Sequence, residues 1–481
     1  MRTIAAPLAL IAAGFAVTAL ACSSSAKRTT FDTSANTPDG GAAPTFSDGK
    51  SSCARLECKV PTCEGGATTT LTGKVYDPAG ANPLYNVLVY IPDGIDGDVD
   101  LPPIASTLTD GVKCETCAST AVAPLVSNMT NEKGEFTLKN VPLDKDVPVV
   151  VQLGKWRRKL KIDVTKGCEE NKVPDQQFRL PKNGSEGDMP HVAVTAGGAD
   201  ALECLLHGIG IDDSEFVPGA SPTGHIHMFN GKGGTFPGAP EAGGTTASRF
   251  GGELWNDKAK LSQFDMVMLS CEGTPDNFEN KGGAPGQPGA RQAMYEYAQA
   301  GGKVFATHYH YVWFKNSPQA DFRSVATWGS SDPSSDGPHE VVQTLSSDPS
   351  KPFPKGVAFA QWLYATGASS TLGELPLVDT RDSVSAVQGS SQAWVQTKGL
   401  SGAPTPRYFS FNTPLAAAQE NQCGRAVFSD IHVSNSDSSG TFPAKCPVPG
   451  KLSAQQKALE FMFFDLSSCV TSDSTPPPGP N

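Results

Sequence analysis

Three short phrases gather the residue types that bind metals or move protons: Ser270-Cys271-Glu272-Gly273, His308-Tyr309-His310 and Asp430-Ile431-His432. Each follows an apolar run, at 264–269, 303–307 and 425–429. If these runs are neighbouring strands, imidazoles and carboxylates meet in one crevice. Neutral His nitrogens and carboxylate oxygens ligate divalent metals, so His308, His310, Asp430 and His432 are candidate ligands for an ion such as zinc. The same groups suit acid–base work without a metal, with His308, His432 and Glu272 as candidate catalytic residues. A third reading is packing, in which the histidines lie against Tyr309, Tyr311 and Trp313 and bond to the backbone. Residue types alone leave all three open.

Other candidates carry less. Gly224-His225-Ile226-His227 offers a second His-x-His pair in a Gly/Pro-rich loop that would fold over the crevice; without a third ligand it reads as structural. His207, before Gly208, reads as a helix C-terminal cap. Gly231-Lys232-Gly233-Gly234 lacks the length and the Lys-Ser/Thr of a phosphate loop. The sequence holds no Gly-x-Ser-x-Gly elbow and no His-Glu-x-x-His helix.

The elements that must position these residues alternate strand and helix from about residue 190. His191-Val192-Ala193-Val194-Thr195 is a short apolar strand, followed by a helix with Ala201, Leu202, Leu205 and Leu206 on its inner face. Strands at 264–269 and 303–307 flank a helix at 289–301. Strands at 407–411 and 425–429 precede a last helix, which Ser453 and Gln456 open as a capping box. Such alternation implies a flavodoxin-like, doubly wound, mostly parallel sheet, whose ligands sit beyond the carboxyl ends of strands. The stretch from Phe314 to Trp394 has apolar runs but no motif, and is read as β-rich elaboration of the crevice rim. From about Thr68 to Leu180 the period is two, with turns at Asp77-Pro78-Ala79-Gly80 and Glu132-Lys133-Gly134. The expected fold class is therefore α/β plus all-β, a small β-sandwich followed by the parallel sheet.

Two resemblances refine this. Gly73-Lys-Val-Tyr-Asp77-Pro78, Pro83-Leu84-Tyr85-Asn86-Val87-Leu88-Val89-Tyr90 and Thr130-Asn-Glu-Lys-Gly134-Glu-Phe136-Thr-Leu138 resemble the carboxypeptidase regulatory-like domain. That family is a transthyretin-like β-sandwich that serves as scaffold or adhesive module; the insert from Gly94 to Val126 departs from its short loops. The order of elements from 190 to 470 resembles the class I glutamine amidotransferase-like fold and, within it, the ThuA-like group. Laid on this chain, the amidotransferase nucleophile falls at His308 and the catalytic histidine at His432. The cysteine is absent from that place, and the acid expected two positions after the histidine is Ser434. An imidazole cannot replace a thiolate attacking an amide, so glutaminase chemistry is not expected. A histidine after that strand suits the ThuA-like group better.

The amino terminus gives the address. Arg2, an apolar run from Leu8 to Leu20 and Ala21 before Cys22 resemble a bacterial lipobox, which implies removal of residues 1–21 and a lipid on Cys22. Residues 22–50 read as a flexible stalk, 51–182 as the Cys-rich sandwich, 190–470 as the amidotransferase-like domain and 471–481 as a disordered tail. Twelve cysteines agree with export and structural disulfides. Cys53, Cys58, Cys63, Cys114, Cys117 and Cys168 make an even group. Cys204, Cys271, Cys423, Cys446 and Cys469 make an odd one, leaving either one thiol over or one bridge between groups. The net charge of −11 excludes a nucleic-acid partner, and the basic stretch Lys155-Trp156-Arg157-Arg158-Lys159 reads as a solvated strand face. The expectation is a lipid-anchored protein of the bacterial cell envelope, on the outer membrane, with a binding or structural role. Its partners would be the membrane, through Cys22, and carbohydrate or an envelope protein. The alternative is an exported hydrolase acting on carbohydrate, or a metal-binding protein.

Overall fold

The computed structural model describes residues 55–94, 100–114, 124–243, 252–275, 289–329, 335–398, 403–433 and 441–476. The leader, Cys22, the stalk, Cys53, Cys117, Ser434 and the end of the tail lie outside the described residues. The structure is mixed α/β, with many strands in several sheets and few long helices.

Eight strands come first: β1 (Thr70–Tyr76), β2 (Leu88–Pro92), β3 (Pro124–Met129), β4 (Glu135–Lys139), β5 (Asp144–Leu153), β6 (Trp156–Val164), β7 (Glu170–Lys172) and β8 (Phe178–Arg179). They form two four-stranded sheets, β4-β1-β7 with β8 also on β1, and β3-β2-β5-β6. Leu71, Val75, Phe136 and Leu138 of the first sheet share one core with Val89, Ile91, Val149 and Val151 of the second. The turn into β4 needs Gly134, at φ +72, because a Cβ there would lie 2.7 Å from the Val75 carbonyl. The insert between β2 and β3 carries one helical turn, α1 (Thr107–Asp110).

A ten-stranded sheet follows. Its strands are β9 (Val192–Ala196), β10 (Phe216–Pro218), β11 (Ile226–Asn230), β12 (Met266–Leu269) and β13 (Lys303–Thr307), interleaved with α2 (Leu202–Gly208), α3 (Lys258–Leu261) and α4 (Ala290–Gln299). Then come α5 (Val312–Lys315), α6 (Ala320–Arg323), β14 (Ala326–Trp328), β15 (Ser335–Val341), β16 (Thr344–Leu345), β17 (Asp348–Pro352) and α7 (Pro354–Ala365). The chain closes with β18 (Glu374–Thr380), β19 (Val384–Val387), β20 (Gln392–Thr397), β21 (Pro406–Thr413), β22 (Gly424–Ser429) and α8 (Ala454–Ser467). The order is β10-β11-β9-β12-β13-β22-β21-β20-β15-β18. The first six strands are parallel and the others antiparallel. Part of the motif-poor stretch 314–394 thus extends the sheet through β15, β18 and β20.

The period of two explains why the parallel strands are apolar throughout. Val192, Val194, Met266, Met268, Phe305 and Val427 face one core, shared with α2, α8 and the first two sheets. Ala193, Val267, Leu269, Val304, Ala306 and Phe428 face another, shared with α3, α4 and α5. Trp156 of β6 meets Phe463 and Phe464 of α8 edge-on, and Asn82 donates to Glu460 at 2.8 Å. Disulfides join Cys63 to Cys168, Cys204 to Cys446 and Cys114 to Cys423; Cys58 and Cys469 are also disulfide-bonded. Cys114–Cys423 bridges the two cysteine groups and Cys271 remains a thiol, so both outcomes of the odd count occur. In the basic stretch Lys159 is exposed, but Arg157 is buried against Asp188, because β6 turns that end inward.

Candidate metal centre

The chain leaves β9 for β11 on one side and later crosses to β12 on the other. The crevice of such a sheet opens where the winding reverses, at the carboxyl ends of β9 and β12. Gly197 permits this closeness: a Cβ there would lie 2.2 Å from the Cys271 carbonyl. The loop after β11 covers it, with Gly231 N–H donating to the Ala196 carbonyl and Gly198 N–H to the Lys232 carbonyl.

Cys271 follows β12, His308 follows β13 and His432 follows β22, and these strands are adjacent. One ligand atom from each lies within 4.8 Å of the others, and all three side chains are buried. Cys271 Sγ stands 3.2 Å from His308 Nδ1, and the His308 and His432 rings are 5.3 Å apart. The backbone sets this geometry. Cys271 N–H donates to the Thr307 hydroxyl, which donates to the Leu269 carbonyl, so β12 and β13 are locked at their ends. His308 sits at φ +42, a left-handed conformation that turns the chain sharply from strand to helix. Gln455 of α8 donates to the His432 carbonyl at 2.6 Å. Burial pushes the Cys271 thiol up to about 12, so with no cation beside it the sulfur holds its proton at neutral pH.

The expected ligand quartet divides. His308 and His432 converge, but His310 and Asp430 do not join them. His310 Nδ1 accepts from Trp313 at 2.9 Å, which makes Nε2 the donor to the Ser270 carbonyl at 2.8 Å. Both ring nitrogens are occupied, and burial lowers this imidazole to about 4. Asp430 accepts from the backbone and hydroxyl of Ser383, each at 2.8 Å. Burial raises it to about 6, countered first by His308 nearby. Glu272 is buried beneath the covering loop and accepts from Lys232 N–H at 2.6 Å.

Two residues enter that the sequence reading left out of the site. Cys271, in the loop after β12, brings its sulfur to the two imidazoles. Asp200, beyond β9, is fully buried; its Oδ1 accepts from Ala201 and Val433 N–H, tying the end of β9 to the end of β22. Burial raises that carboxyl to about 7. The His225–His227 pair lies at the amino end of β11, away from the crevice, bonded to Glu215, Gly219 and His191.

No protein-family model and no curated protein matches the sequence. Solved structures similar to the chain include two, both at low identity. A cytoplasmic protein from Salmonella typhimurium is 11% identical over 59% of this chain and 100% of its own, with a TM-score of 0.31. A protein described as ThuA-like from Bacteroides uniformis is 10% identical over 57% of this chain and 89% of its own, with a TM-score of 0.28.

Proposed function

We propose that this chain is an exported, lipid-anchored protein of the bacterial cell envelope whose ThuA-like α/β half holds a transition-metal ion through Cys271, His308 and His432. The observation that carries the reading is the convergence of one thiol and two imidazoles within 4.8 Å on three adjacent strand ends. Thiolate with imidazole is the donor set of zinc or copper rather than of calcium or magnesium. Three protein ligands leave a position for water or substrate, and an ion so held supplies an activated water for hydrolysis. The chain's own part is to hold the sulfur and the two rings at fixed strand ends. Thr307, the turn at His308 and Gln455 do this. Glu272, Asp200 and Asp430 are buried carboxyls at the same strand ends, and Glu272 is the proton acceptor assigned to a bound substrate. Export is supported by the leader and by the disulfides, and the first two sheets fit a carboxypeptidase regulatory-like module.

Elemental analysis of residues 22–481, secreted into an oxidising compartment, tests the centre. About one zinc or copper per chain is expected. It disappears in Cys271→Ser and in the His308→Ala/His432→Ala double variant and survives in Asp430→Asn. Metal-free protein after equilibration with zinc and copper, or retention in Cys271→Ser, overturns the reading.

A further inference from the structure

A cavity of about 240 Å³ lies at the amino ends of β12 and β13, at the opposite end of the sheet from the candidate metal centre. Asp265 and Lys303 stand on its floor. Its walls are the β5–β6 turn, the residues that end and follow α8, and the insert between β2 and β3. The insert is strapped down along its length. Its Pro102 and Ala105 carbonyls accept from Arg157 at 2.9 Å and from Lys155 at 3.0 Å. The Thr107 hydroxyl donates to Asp265 at 3.1 Å, and Val112 N–H to the Ser262 carbonyl at 2.7 Å. Cys114 is bonded to Cys423. The space is built before any ligand arrives.

The charged groups around it are engaged within the wall itself. Lys155 pairs with Asp265 at 2.8 Å, and Arg157 with Asp188 at 2.8 Å. Lys303 donates to the Ser467 and Ser468 carbonyls at 3.0 and 2.6 Å, and its charge helps hold buried Asp465 below the usual carboxylate range, after Lys355 and Arg425. Gln152 donates to the Gly154 carbonyl at 3.1 Å and accepts from the Tyr90 hydroxyl at 3.3 Å. Lys113, the other lining cation among the described residues, lies on the exposed rim. With their heads turned onto partners, the long side chains offer the space their aliphatic stems. Pro102, Pro103, Ile104, Val112, Met266 and Val470 complete an apolar lining.

We infer that this cavity is a binding site for a small uncharged apolar molecule, about the size of one substituted benzene ring. A dry cavity of roughly 150 Å³ lined by apolar side chains accepts benzene, so this one has room for a ring and a short substituent. A charged ligand would give up its water for a wall whose charges already have partners, which costs more than the wall returns. An uncharged ring gives up no such hydration and covers the prolines, Ile104 and Val470. The site is separate from the strand-end crevice and does not depend on the metal reading.

Fluorine NMR titration of oxidised residues 22–481 tests it with three probes that share one ring: para-fluorobenzyl alcohol, para-fluorobenzoate and para-fluorobenzylamine. The alcohol is expected to bind saturably at one site per chain, with the anion and the cation at least about tenfold weaker. Ile104→Trp and Val470→Trp fill the space from two different walls, at half-buried positions. Each should weaken the alcohol at least about tenfold while Tm and metal content stay unchanged. Lys113→Gln, on the rim, should leave the alcohol's affinity as it is. No saturation with the alcohol, benzoate or benzylamine binding as tightly, or full affinity in both tryptophan variants overturns the inference.

Discussion

The parallel sheet gathers histidines at both ends and uses them differently. At the amino ends of β9 and β11, both ring nitrogens of His191 and His227 and Nδ1 of His225 are bonded within the fold. His191 meets His227 at 3.0 Å and Ser106 at 3.0 Å; His227 meets the Gly219 carbonyl at 2.9 Å; His225 meets Glu215 at 2.5 Å. At the carboxyl ends, His308 and His432 turn toward Cys271 and one another. Three imidazoles bonded to one another, to the backbone and to the Ser106 and Glu215 side chains make a structural cluster. Two imidazoles and a sulfur converging on one point have the arrangement of the proposed chelating one. Strand polarity separates the two cases, because side chains converge on a ligand where the loops of a parallel sheet open.

Breaking one ligand gives the largest contrast. Cys271→Ser should lower zinc affinity by more than about 100-fold, beyond the 10–100-fold that outer partners contribute. His227→Phe, at the other end, should leave affinity unchanged, and competition with a chromophoric chelator reads both. Gly231→Ala comes next. Its Cβ would lie 2.6 Å from both the Ala196 carbonyl and Glu272 Oε1, so the covering loop must shift at a cost of about 1–3 kcal/mol in denaturant unfolding.

Acid should act on the amino-end cluster. Burial lowers His191 and His227 to about 4, with His225, Asp265, Lys155 and Glu215 as the charged neighbours. The unfolded histidines take up protons near pH 6.5, so the stability of the neutral folded rings is complete above that value and is lost as pH falls toward 4. The Tm should fall across this window, and less steeply in His191→Gln/His227→Gln. The smallest effect has the opposite sign. Glu460, buried beside Asp77, is held well above the usual carboxyl value by burial and by that neighbour. Its contribution is complete below about pH 4.5 and is lost as pH rises through the raised value. Glu460→Gln keeps an acceptor for Asn82 and should raise Tm by about 1–3 °C at pH 8 while changing little at pH 5.

Local pattern carried much of this to the page. The strands at 192–196, 266–269, 303–307 and 424–429 are short apolar runs bounded by Gly and polar residues, and the Ser453–Gln456 capping box opens α8. The Phe314–Trp394 stretch was opaque because β15 reads Ser-Asp-Gly-Pro-His-Glu-Val, with Gly337 and Pro338 inside a strand, and its partners β18 and β20 lie far along the chain. His308 and His432 were legible as strand-end histidines. The exclusion of His310 was not, since it needs Trp313 one turn on to occupy Nδ1. Cys271 is hidden by cysteine arithmetic: an odd thiol could equally be a bridge between groups, and it takes the Cys114–Cys423 and Cys204–Cys446 pairs together with the bonded state of Cys469 to leave Cys271 as the thiol.

The most direct test of the central claim is the absorption spectrum of the cobalt-substituted protein. A thiolate-to-cobalt charge-transfer band together with tetrahedral d–d bands is predicted, the first absent from Cys271→Ser and both absent from His308→Ala/His432→Ala. A cobalt spectrum without the thiolate band, or one unchanged in Cys271→Ser, would contradict a Cys271–His308–His432 centre.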